Sequence, residues 1–317
     1  MKRKTLDFND FYNGIVAGDR SALSKAITFV ESTLEKDQIL ISQLLASFAT
    51  LQKKTLRVGF TGTPGVGKST LLNEIGKSFL DENFKIAILS VDPTDADSNG
   101  SILGDKTRMQ DIANHPHFYI RPSCSSVKSA LGKNTLNTIL LCEAAGYEMI
   151  WIESVGIGQL EFELHFLVDY LVLLQPFGDG DEIQMLKKGI HQKADLVLIT
   201  KADKNLLEAQ NTAAGFEMNS LNQKVMICSA KSKLGVNEIK KYFKEKLAID
   251  KNTLAFADHR NQKLSDHIEN ELKNNLYEYI QSNEELNKQW IKYKSHFLNN
   301  DLSAKEAIDQ YLKQIFR

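Results

Sequence analysis

The sequence predicts a three-layer α/β fold: a parallel sheet covered by helices on both faces, with helical extensions at both ends of the chain. Three observations carry this. Six short apolar runs, RVGFT, KIAILSV, MIWIES, YLVLLQ, LVLIT and VMICS, follow one another through the middle of the chain. Most are continuous rather than alternating, as strands buried on both faces are. Helical stretches after Gly67, after Thr135 and after Glu182 separate them and supply the crossovers that parallel strands need.

The first 50 residues read as helical. Leu23, Ile27, Val30 and Leu34 recur at helical spacing behind Asp19 and Ser21, which can cap an N-terminus, and Gln38 to Phe48 continues the pattern. Residues 51–248 form the α/β domain. Residues 249–317 are helical and polar, with Leu264, Ile268, Leu272, Leu276 and Ile280 drawing one apolar stripe. Ser303 and Glu306 form a capping-box pattern that opens a last helix carrying Ile308, Leu312 and Ile315. No Gly- or Pro-rich linker precedes this zone, so it is expected to pack on the nucleotide domain or on a second copy of the chain.

With 42% hydrophobic and 25% charged residues, the 317-residue chain has the composition of a soluble globular protein. A net charge of −1 gives no electrostatic footprint for nucleic acid or for an anionic membrane. MKRKTLDFND is basic without an apolar stretch behind it, which reads as no secretion signal, and no apolar run reaches the roughly 18 residues of a membrane span. Cys124, Cys142 and Cys228 are widely spaced, which argues for core thiols in a reducing cytoplasm rather than for a disulfide framework or zinc site.

The chemistry begins where RVGFT delivers the chain to G-x-x-x-x-G-K-S, from Gly62 to Ser69. This is the phosphate-binding loop of a P-loop NTPase. The stretch Gly62, Thr63, Pro64, Gly65, Val66, Gly67 turns its N–H groups inward onto phosphate oxygens, and the helix that follows through Thr70 adds its N-terminal dipole. Lys68 reaches the β- and γ-phosphates, and Ser69 offers its hydroxyl to Mg²⁺. A Gly-rich turn before a helix is the bland alternative; strand, loop and helix in order argue against it.

LVLIT ends in Thr200-Lys201-Ala202-Asp203, a T-K-x-D form of the guanine-reading N-K-x-D motif. A carboxylate at Asp203 accepts from guanine N1–H and the exocyclic amine, donors that adenine lacks on that edge. The Lys201 stem can cover a face of the base. Thr200 stands where Asn is usual, so one amide that would brace the loop or contact the base is missing. Cys228-Ser229-Ala230-Lys231 follows the last apolar run, like the S-A-K motif whose backbone meets guanine O6. Together Ser229, Ala230, Lys231 and Asp203 favour GTP over ATP.

Three acids are candidates for magnesium and water. Asp92 ends KIAILSV, Glu153 ends MIWIE, and Asp105 lies in GSILGDKTRM. A carboxylate at the C-terminal end of such a strand points into the ligand crevice, and Mg²⁺ prefers oxygen ligands, some held through water. Gly156, three residues past Glu153, sits where a backbone N–H often senses the γ-phosphate. For Asp105 a solvated loop acid is the plain alternative.

The strings DPTDADSNGSILGDKTRM, IRPS, CEAAGYEMIWIESVGIGQLE, GDEIQMLKKGI and ADLVLITKAD resemble the MeaB/ArgK/MMAA GTPases, the G-protein chaperones of adenosylcobalamin-dependent methylmalonyl-CoA mutase. The resemblance spans the nucleotide domain and reaches upstream to IVAGDRSALSKAITFVES. It implies a SIMIBI-type G domain that cycles between GTP and GDP with Mg²⁺. It also implies phosphate and metal roles for Lys68 and Ser69, magnesium and hydrolysis roles for Asp92, Asp105 and Glu153, and guanine recognition by Asp203. Asp181, Glu182 and Lys188, within Gly178 to Gly189, would fall on a switch that signals to the mutase, and the C-terminal helices would form a homodimer. DPTDADSNG stands where the family usually has a serine-rich loop, and CSSVKSALGK follows IRPS in place of P-S-S-G-x-L-G-G.

Rival classes are weighed by what they need. A nickel or cobalt metallochaperone GTPase needs clustered ligands, and His115-Pro116-His117 reads as a turn. A P-loop kinase or ATPase of amino-acid transport would use ATP, against the guanine motif. Direct cobalamin carriage needs a D-x-H-x-x-G, which this chain lacks.

Overall fold

A computed structural model describes residues 7–49, 51, 55–92, 109–124, 131–154, 159–178, 189–219, 223–250 and 254–315. Asp105, Gly156, Asp181, Glu182 and Lys188 lie outside the described residues, as does the start of the crossover expected after Glu182.

Helices α1 (Phe8–Val16), α2 (Arg20–Val30) and α3 (Glu35–Phe48) open the chain. Asp7 and Asp10 form a capping box on α1, and Asp19 caps α2 by accepting from Ser21 N. The expected apolar spacing holds from Leu23 to Val30 and then stops. Leu34 precedes α3 and is 55% exposed, because the chain leaves the helix at Glu31.

The sheet follows: β1 (Leu56–Gly62), β2 (Ile86–Asp92), β3 (Phe118–Cys124), β4 (Met149–Ser154), β5 (Tyr170–Pro176), β6 (Leu196–Thr200) and β7 (Lys224–Ile227). The order is β3-β2-β4-β1-β5-β6-β7, and every paired neighbour is parallel. The six apolar runs account for six of these strands. The seventh, β3, is FYIRPSC, whose arginine and proline hide it in the sequence. It pairs with β2 alone, at the sheet edge, where a proline's missing N–H breaks no ladder between two neighbours.

The intervening helices are α4 (Lys68–Ser78), the short α5 (Gln110–Ala113), α6 (Leu131–Ala144), α7 (Gln159–Leu167), α8 (Leu206–Asn219) and α9 (Val236–Asp250). They make two covering layers. On one face Val58, Phe60 and Trp151 pack with Leu72 and Ile75 of α4 and Phe243 of α9. On the other, Leu89, Ile150, Ile152 and Leu171 share a single core with Ile139 and Leu164 and with Phe11, Leu23, Ile27 and Leu44 of the N-terminal helices. The N-terminal helices are therefore part of the sheet's core. Arg121 of β3 ties that layer to α2 through Glu31 at 2.8 Å.

The chain ends in α10 (Leu254–Ser282), α11 (Glu284–Leu298) and α12 (Ala304–Ile315). It divides into two compact units, Met1–Lys263 and Leu264–Arg317. Within the first unit, the root of α10 is held by ion pairs. Arg260 donates to both oxygens of Asp169, through Nε at 2.7 Å to Oδ1, and to the carbonyl of Thr55 at 2.7 Å. Asp169 also accepts from Arg57 N at 2.8 Å, and Arg57 forks onto Glu143 at 2.7 and 3.0 Å. Within the second unit, Asn283 caps α11, and Tyr311 of α12 donates to the carbonyl of Leu286 at 3.0 Å. The Ser303–Glu306 capping box forms as expected. Ile268, Leu272 and Leu276 on α10 are 65%, 58% and 46% exposed. Among the described residues no helix is long and apolar enough to cross a membrane.

Candidate functional site

β1 lies between β4 and β5; the chain leaves it for β2 on one side, and the later connection from β4 crosses to β5 on the other. That reversal opens a crevice at the carboxyl ends of the strands, where α/β proteins bind ligands. The phosphate loop runs across it. Gly62 ends β1 at φ 145°, and a side chain there would press on the carbonyl oxygen of Leu174 in β5. Gly67 caps α4 at φ 101°, a left-handed turn that glycine adopts without strain and that aims the first N–H groups of α4 back at the loop. Val66 anchors the loop in the core, while Pro64 and Gly65 are exposed.

Lys68 is buried, and its Nζ donates to the carbonyls of Gly62 and Thr63 at 2.8 and 3.2 Å, so the ammonium sits in the curl of the loop. Ser69 donates from Oγ to Glu153 Oε1 at 2.7 Å. The strand registers bring the acids near each other. Glu153 pairs with Phe60 of β1 and Ser90 of β2, and Asp92 follows two residues beyond Ser90. The side chain of Asp92 is outside the described residues.

The base-reading loops meet the phosphate loop directly. Thr200 donates from Oγ1 to the carbonyl of Val66 at 3.2 Å, so the hydroxyl braces the phosphate loop. Its 3.4 Å approach to the carbonyl of Gln175 joins β5 to the same point. Lys201 holds a left-handed φ of 62° and donates from Nζ to the carbonyl of Gly65 at 2.7 Å. Such a conformation in a lysine is strain of the kind stored at functional sites. Asp203 is exposed to the crevice and accepts from Ser229 Oγ at 2.6 Å, which holds its carboxyl below the usual range. Ser229 Oγ in turn accepts from Ser232 N at 3.1 Å, which fixes the turn carrying Ala230 and Lys231. Cys228 is buried with its thiol pushed up to about 12 by burial, so it is a core residue and not a nucleophile.

Two features were not found from the sequence. Ser154 donates to Thr61 Oγ1 at 3.2 Å beneath the loop, and the buried Gln175 lends its carbonyl to Thr200. Both sit at the ends of apolar strands, where a polar residue is the available signal. His115 Nδ1 accepts from His117 N at 3.3 Å, a local turn.

A parallel sheet with its phosphate loop at the reversal point, and two further loops that pair Asp203 with Ser229, define a P-loop nucleotide hydrolase of the guanine-reading kind. A family model described as "Methylmalonyl Co-A mutase-associated GTPase MeaB" matches residues 23–285. The chain belongs to this family of GTPases. It is 34% identical over 326 residues to the mouse "Methylmalonic aciduria type A homolog, mitochondrial", covering 95% of this chain and 78% of that one. It is 40% identical over 233 residues to "GTPase ArgK" of Escherichia coli, covering 70% of each. A crystal structure described as a LAO/AO transport system kinase superposes with a TM-score of 0.83 at 28% identity, over 99% of this chain and 100% of that one.

Proposed function

We propose that this GTPase serves an adenosylcobalamin-dependent acyl-CoA mutase, methylmalonyl-CoA mutase or a relative, gating cofactor loading and protecting or reactivating the enzyme. The observation that carries the reading is the match over residues 23–285 to a family described by its association with that mutase.

In this reading the backbone of Gly62 to Gly67 and the first turn of α4, with Thr70, hold the phosphates. Lys68 exchanges its loop carbonyls for β- and γ-phosphate oxygens. Asp203 accepts from the guanine, with Lys201 over a face of the base and the Ser229–Lys231 turn at O6. Because Thr200 and Lys201 both grip the phosphate loop, correct seating of the base and of the phosphates is one event.

Ser69 and Glu153 present oxygen donors 2.7 Å apart at the buried end of α4, a set that fits Mg²⁺. Asp92 and Asp105 complete the acids assigned to metal and water. When bound, Mg²⁺ neutralises charge on the transferring phosphoryl group. Phosphoryl transfer otherwise needs positioning, which Lys68 and the loop amides supply. Asp181, Glu182 and Lys188 form the switch through which Gly156 reports the γ-phosphate to the client. α10 pairs two copies of the chain, and the free buried thiols Cys142 and Cys228 suit a cytoplasmic setting.

The test adds purified adenosylcobalamin mutases one at a time and follows GTP turnover. A stimulation that Lys188→Ala removes, with nucleotide affinity unchanged, supports the reading. If no mutase binds or alters turnover in either nucleotide state, the client assignment fails.

A further inference from the structure

The strands that carry the phosphate loop and Glu153 separate at their C-terminal ends. The pairing of β1 with β4 runs as far as Phe60 and Glu153. Beyond it β1 stays paired with β5, through Thr61 and Gly62, while β4 keeps β2 at Val91 and Ser154. Across the opening, on the first residue past the last pair of each strand, Ser154 Oγ meets Thr61 Oγ1 at 3.2 Å.

Side chains alternate along a strand. Trp151 faces the core that contains α4, so Glu153 faces the same way and meets Ser69 there. Ile150 and Ile152 face the opposite core, and Ser154 continues their row. The hydroxyl pair therefore stands behind Glu153, on the far side of the sheet from the nucleotide helix. Thr61 is 0% and Ser154 3% exposed; Ser154 ends a β4 row otherwise filled by isoleucine, and Thr61 follows Arg57 and Gly59 on the same face of β1. A buried hydroxyl is costly unless paired, so two that face each other across the opening act as a cross-link.

We propose that Thr61 and Ser154 are positioning residues for the hydrolytic site. Their bond holds the end of β4 against the start of the phosphate loop, at the point where backbone pairing no longer does, and so sets the reach of Glu153 to Ser69. The inference rests on the assignment of Ser69 and Glu153 to the Mg²⁺ of the bound nucleotide.

The test uses Thr61→Val, Ser154→Ala, their double variant and Ser154→Thr in the full chain. Two quantities are read: single-turnover GTP hydrolysis, and the dissociation rate of a fluorescent GDP with Mg²⁺ and with EDTA. Each single variant is expected to slow hydrolysis about tenfold and to cut the retention conferred by Mg²⁺ by a similar factor, the scale of one hydrogen bond. Dissociation in EDTA stays at the wild-type rate. The double variant loses no more than the more damaging single one, because both break the same bond, and Ser154→Thr, which keeps the hydroxyl, restores both quantities. Thr61→Val keeps the side-chain volume and carries the comparison if Ser154→Ala fails to fold. The inference is overturned if the variants match wild type, if the double variant multiplies the two losses, or if Ser154→Thr behaves as Ser154→Ala. A wild-type protein whose GDP retention ignores Mg²⁺ would instead sink the metal assignment, and the inference with it.

Discussion

In α2, Leu23, Ala26, Ile27 and Val30 are buried in the same core as Ile150 and Leu171 of the sheet. In α10, Ile268, Leu272 and Leu276 recur at the same kind of spacing and are all exposed. Both stretches carry an apolar stripe on a helix outside the α/β domain, yet one completes that domain and the other is left open. An apolar stripe thus establishes a helix with an apolar face, but not what covers that face. In the N-terminal helices the cover is the sheet layer that also holds α6. For α10 we propose a second copy of the chain, since exposed apolar rows of this length mark interaction sites.

Truncation should separate the two most strongly. A chain beginning at Leu51 strips the layer over Leu89, Ile150 and Leu171, and is expected to lose cooperative melting and GDP binding together. A chain ending at Lys263 keeps that core and should keep both. Circular dichroism melts with and without GDP decide it; a well-folded chain from Leu51 would break the comparison.

Single substitutions sharpen it. Ile27→Ala should cost about 2–4 kcal/mol in a urea titration, from lost burial and the cavity left behind. Leu272→Ala should leave the melting of the first unit within about 0.5 kcal/mol, while Leu272→Glu halves the mass measured by light scattering. An unchanged mass would mean that the stripe is not the dimer contact.

The root of α10 behaves like the N-terminal helices despite its place in the chain. Removing Arg260 leaves Asp169 buried with one partner fewer, and Arg260→Met is expected to cost about 3 kcal/mol. Hydrogen exchange should locate the loss in residues 254–263 and at Thr55 and Asp169. Exchange unchanged in that segment would show that the ion pairs do not hold the helix root.

Much of this was legible in the sequence. Six strands, the phosphate loop and both base-reading motifs follow from apolar runs and glycine spacing, because parallel strands and phosphate loops tolerate few other residues. β3 was not, since Arg121 and Pro122 are allowed only by its place at the edge, and sheet order is a tertiary fact. α1 falls within the 50 residues that read as helical, but FNDFYNGIV mixes polar and aromatic residues and leaves its bounds unmarked except for the Asp7–Asp10 capping box. The brace from Thr200 to Val66 was read as lost with the Asn. A hydroxyl at the end of β6 reaches that carbonyl only because the phosphate loop passes beside it, which spacing along the chain cannot show.

A smaller effect belongs to the C-terminal unit. Glu306 closes the capping box of α12, and its carboxyl is held below the usual value by hydrogen bonds from the backbone and side chain of Ser303. The folded value is depressed, so this contribution is present above the ordinary glutamate range and is lost as pH falls through the lower folded value. Helical signal from α12 should therefore decline as pH falls below the ordinary glutamate range, and Glu306→Gln should remove that step. An acid titration by circular dichroism that is the same for both proteins would count against the capping role.

The claim on which the functional account depends most is that the crevice reads guanine through Asp203, oriented by Ser229. Isothermal titration of the full chain with GDP, ADP and xanthosine diphosphate measures it directly, alongside Asp203→Asn. The account predicts that wild type binds GDP and rejects ADP, and that Asp203→Asn weakens GDP while gaining xanthosine diphosphate, whose C2 carbonyl replaces the amino donor. Binding of ADP as tightly as GDP by the wild-type chain would contradict it.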